Sequence, residues 1–304
     1  LYGIPLTVDT RIIFSNKDLL EEAGVDPASI TDWNSLEEAA VKLTKWDGNV
    51  LEQSGFSMKD VGLFNNWIAQ AGGQMIDDTT NPPTTAFNSE AGLTVLEYWN
   101  KLLNEDKVYQ LGFEDGLGGD DFKAGKVAMT FNGPWVLEQY KEAGLNFGVI
   151  GQPKGPSGDM HAMMGGFGLA IPNKAKHADE AWEFIKWWTT QPENGVEFCK
   201  ISGNMPANKA AAEDPYFAED DVFEVFTEAY TYAGIRSKVL GTDKRSGTDS
   251  SAAEICSRRD QRRRSFGKRT VTGRQHFSRG CTAVNMQWWK KSADRSQQAF
   301  FKTR

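Results

Sequence analysis

Short apolar segments that predict β-strands alternate with segments of helical periodicity over the first 240 residues of this 304-residue chain. The predicted strands include residues 127–131 and 147–150, and one predicted helix places Leu36, Ala39 and Leu43 on a single face. Such alternation is typical of α/β folds. The pattern therefore predicts an α/β fold and leaves the domain count open, because a chain of this length suits one large domain or two ordinary ones.

Local signals predict where several helices begin. Asn16 can cap a helix that starts at the next residue, Ser35 opens a Ser-x-x-Glu capping box, and Ser89 can cap a further helix. A later predicted helix places three apolar residues on one face, namely Trp182, Ile185 and Trp188.

The composition changes abruptly at about residue 240. Residues 241–304 contain 16 Lys and Arg against 5 Asp and Glu, which leaves 18 and 36 of these residues for the rest of the chain. The tail also holds 11 arginines, whereas Arg11 and Arg236 are the only two before it. A basic tail on an acidic domain would suggest nucleic-acid binding. Because the tail has no visible periodicity, we favour a frame-shifted translation over a genuine appendage, predict a disordered or poorly packed segment, and expect no nucleic-acid partner.

Several functional classes lack support in the sequence. No apolar run approaches the 18 residues that predict a transmembrane helix, and the first residues do not have the pattern of a signal peptide. The three cysteines and three histidines do not occur at metal-binding spacing, and a glycine-rich turn at residues 165–168 precedes a strand rather than a helix. We therefore expect no metal, no dinucleotide and no other cofactor.

Four separated motifs carry a resemblance to a known family. They are Tyr-Gly-Ile-Pro at 2–5 with Ser-Asn-Lys-Asp-Leu-Leu-Glu-Glu-Ala-Gly at 15–24, Trp33 before Leu-Glu-Glu-Ala at 36–39, Phe-Lys-Ala-Gly-Lys-Val-Ala-Met at 122–129 with Asn-Gly-Pro-Trp at 132–135, and Gly-Gly-Phe-Gly-Leu-Ala-Ile-Pro at 165–172 with Ala-Trp-Glu-Phe-Ile-Lys at 181–186. In this order they resemble the extracellular solute-binding proteins of carbohydrate importers, the group that contains the maltose-binding protein. The resemblance covers roughly residues 1–240.

The resemblance implies a two-lobed periplasmic-binding-protein fold of type II, whose lobes close over the ligand by a hinge motion. It assigns residues 1–9 and 152–205 to the first lobe, residues 10–151 and 206–240 to the second lobe, and leaves 241–304 unmatched. In this family a large amino-terminal portion and a secretion signal precede the Gly-Ile-Pro segment, so the resemblance implies a fragment with an incomplete first lobe. It also implies a monomer in the periplasm or outside the cell, with a cell-surface lipoprotein as an alternative, that delivers its ligand to membrane permease subunits.

Aromatic rings and carboxylates are the side chains that sugar recognition requires. A sugar presents hydroxyls, which need paired donors and acceptors, and weakly positive C–H faces, which pack on electron-rich rings. Trp135 is the first candidate, because it follows a proline-containing turn at a strand end, where its ring can enter a cleft between domains. The alternative is a core tryptophan on the first turn of a helix.

The other candidate ligand residues come from the resemblance and from local sequence context. Asp9 and Asp60 match, by position, acidic sugar ligands of the maltose-binding protein, and a solvated loop carboxylate is the alternative for each. Phe64, Asn65 and Trp67 lie where the family often has aromatic platforms, with helix core as the alternative. The candidate turn consists of Gly165, Gly166 and Phe167, whose glycines would let backbone N–H groups approach a ligand.

These observations predict a receptor for a mono- or oligosaccharide, and no catalytic residues. A receptor for another polar solute, such as a polyamine or a glycerol phosphate, is the alternative within the same fold. A glycoside hydrolase is the alternative of a different class, since Asp120 and Asp121 could form a carboxylate pair. Adjacent residues rarely face one cleft at the required separation, so we expect a capping or surface role for this pair. The sequence does not identify the sugar.

Overall fold

The computed structural model describes residues 3–59, 64–113 and 120–234. In these ranges the α-helices are α1 Lys17–Glu22, α2 Trp33–Leu43, α3 Phe64–Gln70, α4 Glu90–Asn100, α5 Leu137–Glu142, α6 Ala178–Thr190, α7 Pro192–Ser202, α8 Lys209–Ala212, α9 Pro215–Ala218 and α10 Asp221–Thr231. The β-strands are β1 Ile4–Pro5, β2 Thr7–Val8, β3 Ile12–Asn16, β4 Lys45–Asp47, β5 Val50–Gln53, β6 Ile76–Asp77, β7 Thr84–Thr85, β8 Met129–Asn132, β9 Phe147–Ile150, β10 Ala162–Met163, β11 Gly168–Leu169, β12 Met205–Pro206 and β13 Ala233–Gly234. The described residues form two compact units, the first with 3–59, 108–113 and 120–234 and the second with 64–107.

Side-chain caps determine where the first two helices begin. The Asn16 side chain accepts a hydrogen bond from the backbone N–H of Leu19 at 3.1 Å, so α1 begins at the predicted residue. Helix α2 begins earlier than the Ser-x-x-Glu pattern at Ser35 predicts. Asp32 is the N-cap, and Ser35 is the N3 residue whose hydroxyl completes the capping box. The buried face of α2 is nevertheless the predicted one, since Leu36 and Leu43 are fully buried.

The first unit is built around a three-stranded antiparallel sheet in the order β8-β3-β9. All five residues of the central strand β3 are buried. On one face Phe14 packs among aromatic rings, with centroid distances of 5.6 Å to Tyr140, 5.8 Å to Phe147 and 6.2 Å to Phe226. Burying these rings removes a large apolar area from water and fixes the sheet against α5 and α10.

Short ladders connect distant parts of the first unit to the residues that precede β3. Strand β1 pairs with β11 and strand β2 pairs with β12, both antiparallel, while β10 pairs with β13 in parallel. These ladders bring the segment that contains Asp9 next to the glycine-rich turn before β11. The pairings also bury Thr7 and Thr10, which are 2% and 1% exposed.

In the second unit, α3 packs on α4 and the short strands β6 and β7 form an antiparallel pair. The Ser89 side chain caps α4 by accepting from the N–H of Gly92 at 3.3 Å, as the sequence predicts. The contact between the two helices is aromatic, with Phe64 and Trp67 against Trp99.

Of three further predictions from the sequence, one is wrong and two are not tested by the described residues. The face of α6 predicted from Trp182, Ile185 and Trp188 is not a buried stripe, because only Ile185 of these three is buried and Trp182 is 44% exposed. The predicted disorder of residues 241–304 lies outside the described residues. The assignment of sequence ranges to two lobes stays a prediction.

Candidate functional site

The structure brings Asp9 together with the glycine-rich turn, although 156 residues separate Asp9 from Gly165. The two residues form an antiparallel bridge, in which Gly165 N donates to Asp9 O at 2.8 Å and Asp9 N donates to Gly165 O at 3.2 Å. The N–H of Phe167 donates to the Thr7 hydroxyl at 3.1 Å. Two of the three backbone donors expected to face a ligand are therefore used within the protein. The Phe167 side chain, which is 67% exposed, remains accessible to a ligand.

Both glycines of the turn are required by close approaches within this bridge. A Cβ at Gly165 would collide with the Asp9 carboxylate, and a Cβ at Gly166 would collide with the carbonyl oxygen of Thr7. Gly166 also has a φ of 142°, in the region that side chains disfavour. The glycines thus allow the turn to pack directly on the segment that carries Asp9.

The carboxylate of Asp9 lies in an environment shaped by Tyr230. Burial raises the pKa of the Tyr230 hydroxyl, and the negative charge of Asp9 raises that pKa further. The Tyr230 hydroxyl donates to the sulfur of Met205 at 3.4 Å, and Met205 pairs with Val8 across the β2-β12 ladder. The Asp9 carboxylate therefore lies close enough to Tyr230 for its charge to favour the protonated phenol.

Trp135 lies in a 3₁₀ turn, Pro134–Val136, between the end of β8 and α5. The turn buries Val136 and Leu137, whereas Trp135 is only partly buried at the edge of the hydrophobic core. A Cβ at Gly133 would overlap the six-membered ring of Trp135, so the indole folds back over the Gly133 backbone. Trp135 thus packs against the core while part of its surface stays exposed, and the platform and core-tryptophan alternatives both stay open.

Arg11 joins this group, and the sequence analysis did not identify it as a site residue. Its guanidinium carbon lies 5.5 Å from the centroid of the Trp135 ring. The backbone oxygen of Arg11 accepts from the Gln152 side chain at 2.6 Å, and the neighbouring Thr10 hydroxyl donates to Met163 O at 3.1 Å. Asp9 and Arg11 thus flank an inward-facing threonine. Two features of the sequence could have pointed to Arg11: its position two residues after Asp9, and the scarcity of arginine before residue 240.

The remaining candidates belong to the second unit or lie outside the described residues. Phe64 and Trp67 are 5% and 1% exposed, and their rings lie 5.6 Å and 6.1 Å from that of Trp99. These contacts favour the helix-core alternative for both rings. The side-chain oxygen of Asn65 is buried with no hydrogen-bond partner in the structure described here. Asp60 lies outside the described residues.

Asp120 has a capping role, as the sequence predicts. Its Oδ1 accepts from the N–H of Lys123 at 3.0 Å and its Oδ2 accepts from the hydroxyl of Tyr140 at 2.8 Å. Asp121 is 3% exposed, so the expectation of a surface role is wrong for this residue, and the two carboxylates have different surroundings. Both oxygens of Asp120 are engaged in holding the protein together, which does not fit a carboxylate pair that works on a glycosidic bond.

The described ranges 3–59, 64–113 and 120–234 contain no group of three or more His, Cys, Asp or Glu side chains arranged to hold a metal ion. None of the helices there has the length and apolar character needed to cross a membrane. His161 is a partly buried histidine in this region, and its burial lowers the pKa of the imidazole.

The chain belongs to the family of bacterial extracellular solute-binding proteins, whose family model matches residues 1–224. The maltodextrin-binding protein MdxE of Bacillus subtilis strain 168 is 28% identical over 221 residues, covering 69% of this chain and 51% of the relative. A galactooligosaccharide-binding protein from the same organism is 24% identical over 234 residues, covering 75% and 54%. The chain thus spans about half the length of these relatives.

The fold is similarly matched among solved structures. The GacH receptor of Streptomyces glaucescens, solved unliganded and in complex with acarbose, superimposes with a TM-score of 0.69 at 25% identity. The match covers 88% of this chain and 72% of that receptor. Together with the family membership, this similarity confirms the predicted α/β fold of the type II periplasmic-binding-protein class.

Proposed function

We propose that this chain is part of a receptor that binds a carbohydrate and delivers it to an ATP-driven importer. The observation that carries the proposal is the partly exposed Trp135 ring beside Arg11, in a chain that belongs to a family of solute-binding proteins. An indole ring supplies a face for the C–H groups of a sugar, and a guanidinium supplies several hydrogen-bond donors for its hydroxyls. Two similar proteins named for binding maltodextrin and galactooligosaccharide, and the similar GacH receptor solved in complex with acarbose, support this ligand class.

The proposed ligand residues have distinct roles. Trp135 is the stacking platform, Asp9 accepts hydrogen bonds from sugar hydroxyls, and the exposed ring of Phe167 packs on a second apolar face of the ligand. Gly165 and Gly166 hold the turn against Asp9 rather than donate to the ligand, since a Cβ at either position would collide with the facing segment.

Two further proposed ligand residues come from elsewhere in the chain. Asn65 has a buried side-chain oxygen with an unmet hydrogen-bonding capacity in the described structure, which would suit a sugar hydroxyl. Asp60 is proposed from the family resemblance alone. Phe64 and Trp67 would act by supporting Asn65 from the core.

The whole receptor would capture ligand without chemical change and present its closed form to membrane permease subunits. We propose that residues 1–9 and 152–205 belong to one lobe, and residues 10–151 and 206–240 to the other. The pairing of β1 with β11 and of β2 with β12 supports the first grouping, because it joins the ends of those segments. The protein would work as a monomer in the periplasm or outside the cell, with a cell-surface lipoprotein as the alternative. It would not be an enzyme.

Titration calorimetry tests the ligand class in the complete reading frame that contains this chain, hereafter the complete receptor. The panel contains neutral oligosaccharides, amino acids, a polyamine and glycerol phosphate. We expect a neutral oligosaccharide to bind with a micromolar or lower Kd, equivalent to about −8 kcal/mol or a more favourable free energy. Arg11 would favour a phosphate-bearing solute, and binding of a charged solute alone would overturn the carbohydrate assignment. Release of chromophore from aryl glycosides would reveal a hydrolase.

A further inference from the structure

A chain of side-chain hydrogen bonds runs from the core of the first unit to the turn that carries Trp135. The Tyr140 hydroxyl donates to Asp120 Oδ2 at 2.8 Å, and Asn132 Nδ2 donates to the Tyr140 hydroxyl at 3.2 Å. The Asn132 Oδ1 atom then accepts from the N–H of Gly133 at 3.0 Å. The series ends two residues before Trp135, at the first residue of the Gly-Pro-Trp turn.

The core end of this hydrogen-bonded series, at Tyr140, is tightly packed. Tyr140 is 0% exposed, and its ring centroid lies 5.6 Å from that of Phe14, 5.1 Å from that of Phe122 and 5.8 Å from that of Phe147. Close packing on several sides leaves such a ring little freedom. The hydroxyl is therefore a fixed point, and Asn132 is held between that point and the Gly133 backbone.

The Trp135 end of the chain responds directly to Gly133. The indole folds over Gly133 so closely that a Cβ there would overlap its six-membered ring. Behind the turn, a Cβ at Gly203 would lie 2.9 Å from Pro134 O and 3.1 Å from Trp135 Cα, so that side is also filled. A shift of Gly133 would therefore move the ring.

We propose that Asp120, Tyr140 and Asn132 are positioning residues that hold the Trp135 ring in its ligand-binding orientation. This inference rests on the proposed function only in that the ring stacks on a sugar. The geometry of the hydrogen-bonded chain is independent of any ligand. An orientation fixed before binding lowers the entropy lost when ligand and ring come together. The same hydrogen-bonded series explains why a capping aspartate, Asp120, accepts from the hydroxyl of a buried tyrosine, Tyr140.

Fluorine NMR of the 304-residue chain labelled with 5-fluorotryptophan tests this inference without a ligand. Replacing Trp135 by Phe identifies the Trp135 resonance by its loss. Tyr140→Phe keeps the packed ring and removes the hydroxyl, so we expect the Trp135 resonance to shift or broaden. The matched control is Tyr216→Phe, which removes a hydroxyl that donates to Glu138 Oε1 at 3.3 Å and should leave that resonance in place.

Asn132→Ala breaks the chain at a partly exposed position and guards against a folding defect in Tyr140→Phe. It should shift or broaden the same resonance. An unchanged Trp135 resonance in a folded Tyr140→Phe or Asn132→Ala protein would overturn the positioning role.

A double-mutant cycle in the complete receptor separates this inference from the proposed function. Tyr140→Phe should weaken oligosaccharide binding about fivefold, the size expected for one lost hydrogen bond, and should have no further effect in a Trp135→Ala background. An additive effect in that background would refute the action through Trp135. Unchanged affinity in Trp135→Ala alone would instead refute the proposed stacking role of Trp135. The NMR result would still decide whether the hydrogen-bonded series orients the Trp135 ring.

Discussion

The guanidinium of Arg11 lies over the ring of Trp135, with 5.5 Å between its central carbon and the ring centroid. A cation at this distance is attracted by the electron-rich ring face. Arginine suits the position better than lysine, because a planar guanidinium can lie on a ring face and still donate several hydrogen bonds from its edges. The pair thus combines an apolar face with fixed donors, which are the two features that a sugar requires.

Replacing Arg11 by Met should weaken oligosaccharide binding by about 0.5–2 kcal/mol, because the cation–ring attraction and the donors are both lost. Lys200→Met is the matched control, since Lys200 lies 5.3 Å from the ring centroid of Tyr216, a pair distinct from the proposed ligand residues. Calorimetry on the complete receptor measures both variants. Equal losses in Arg11→Met and Lys200→Met would show that Arg11 has no specific part in binding.

Gly166→Ala should destabilise the protein by more than about 2 kcal/mol, because it adds a collision with Thr7 O to an unfavourable φ of 142°. Gly158 provides the control, since its φ is 88° and a Cβ there meets nothing within 4 Å. Gly158→Ala should therefore lower the free energy of unfolding by only about 1 kcal/mol, the cost of the left-handed backbone alone. Urea unfolding compares the two, and similar midpoints would mean that the turn does not pack closely on the Thr7–Val8 strand.

Alkaline pH should destabilise the folded chain through Cys199. Burial raises the pKa of the Cys199 thiol from 9.0 to about 12, so between these values the unfolded chain releases a proton that the folded chain retains. The unfolded state then binds fewer protons, and the free energy of unfolding falls as pH rises above 9. At lower pH the thiol is neutral in both the folded and the unfolded state, so the free energy of unfolding no longer depends on pH through Cys199.

Urea unfolding at a series of pH values between about 8 and 10 measures this slope, before the buried Tyr230 hydroxyl adds its own share. Cys199→Ala should lower stability at every pH through the cavity it leaves, and should flatten the slope. An identical pH slope in wild type and Cys199→Ala would rule out the thiol as its source.

Local signals in the sequence were sufficient for much of the first unit. The Asn16 cap fixed the start of α1, and the apolar run at 147–150 became β9 with the same bounds. Long-range pairing was beyond such signals. Asp9 and Gly165 were each candidates, but their bridge depends on ladder register across the whole unit, which no local pattern encodes.

Aromatic residues show the same limit within the site. Helical spacing alone did not distinguish a core ring from a platform at Trp67, and packing against Trp99 supplied the missing information. The sequence did not identify Arg11 as a site residue, because a single arginine between two strands forms no recognisable motif. Its role depends on where the Trp135 turn lies in space.

Trp135→Ala should weaken oligosaccharide binding by about 1–3 kcal/mol, because the substitution removes a large aromatic face from the ligand. The cost in folding stability should be well below the 3–5 kcal/mol or so that deletion of a core tryptophan causes. Two other tryptophans calibrate these effects. Trp99 is 0% exposed, so Trp99→Ala should cause the full stability loss, whereas Trp182 is 44% exposed and Trp182→Ala should change little in either measurement. Denaturation and sugar titration of all three variants therefore distinguish a platform from a core residue: a stability loss for Trp135→Ala that matches Trp99→Ala, with affinity unchanged, would return Trp135 to the core.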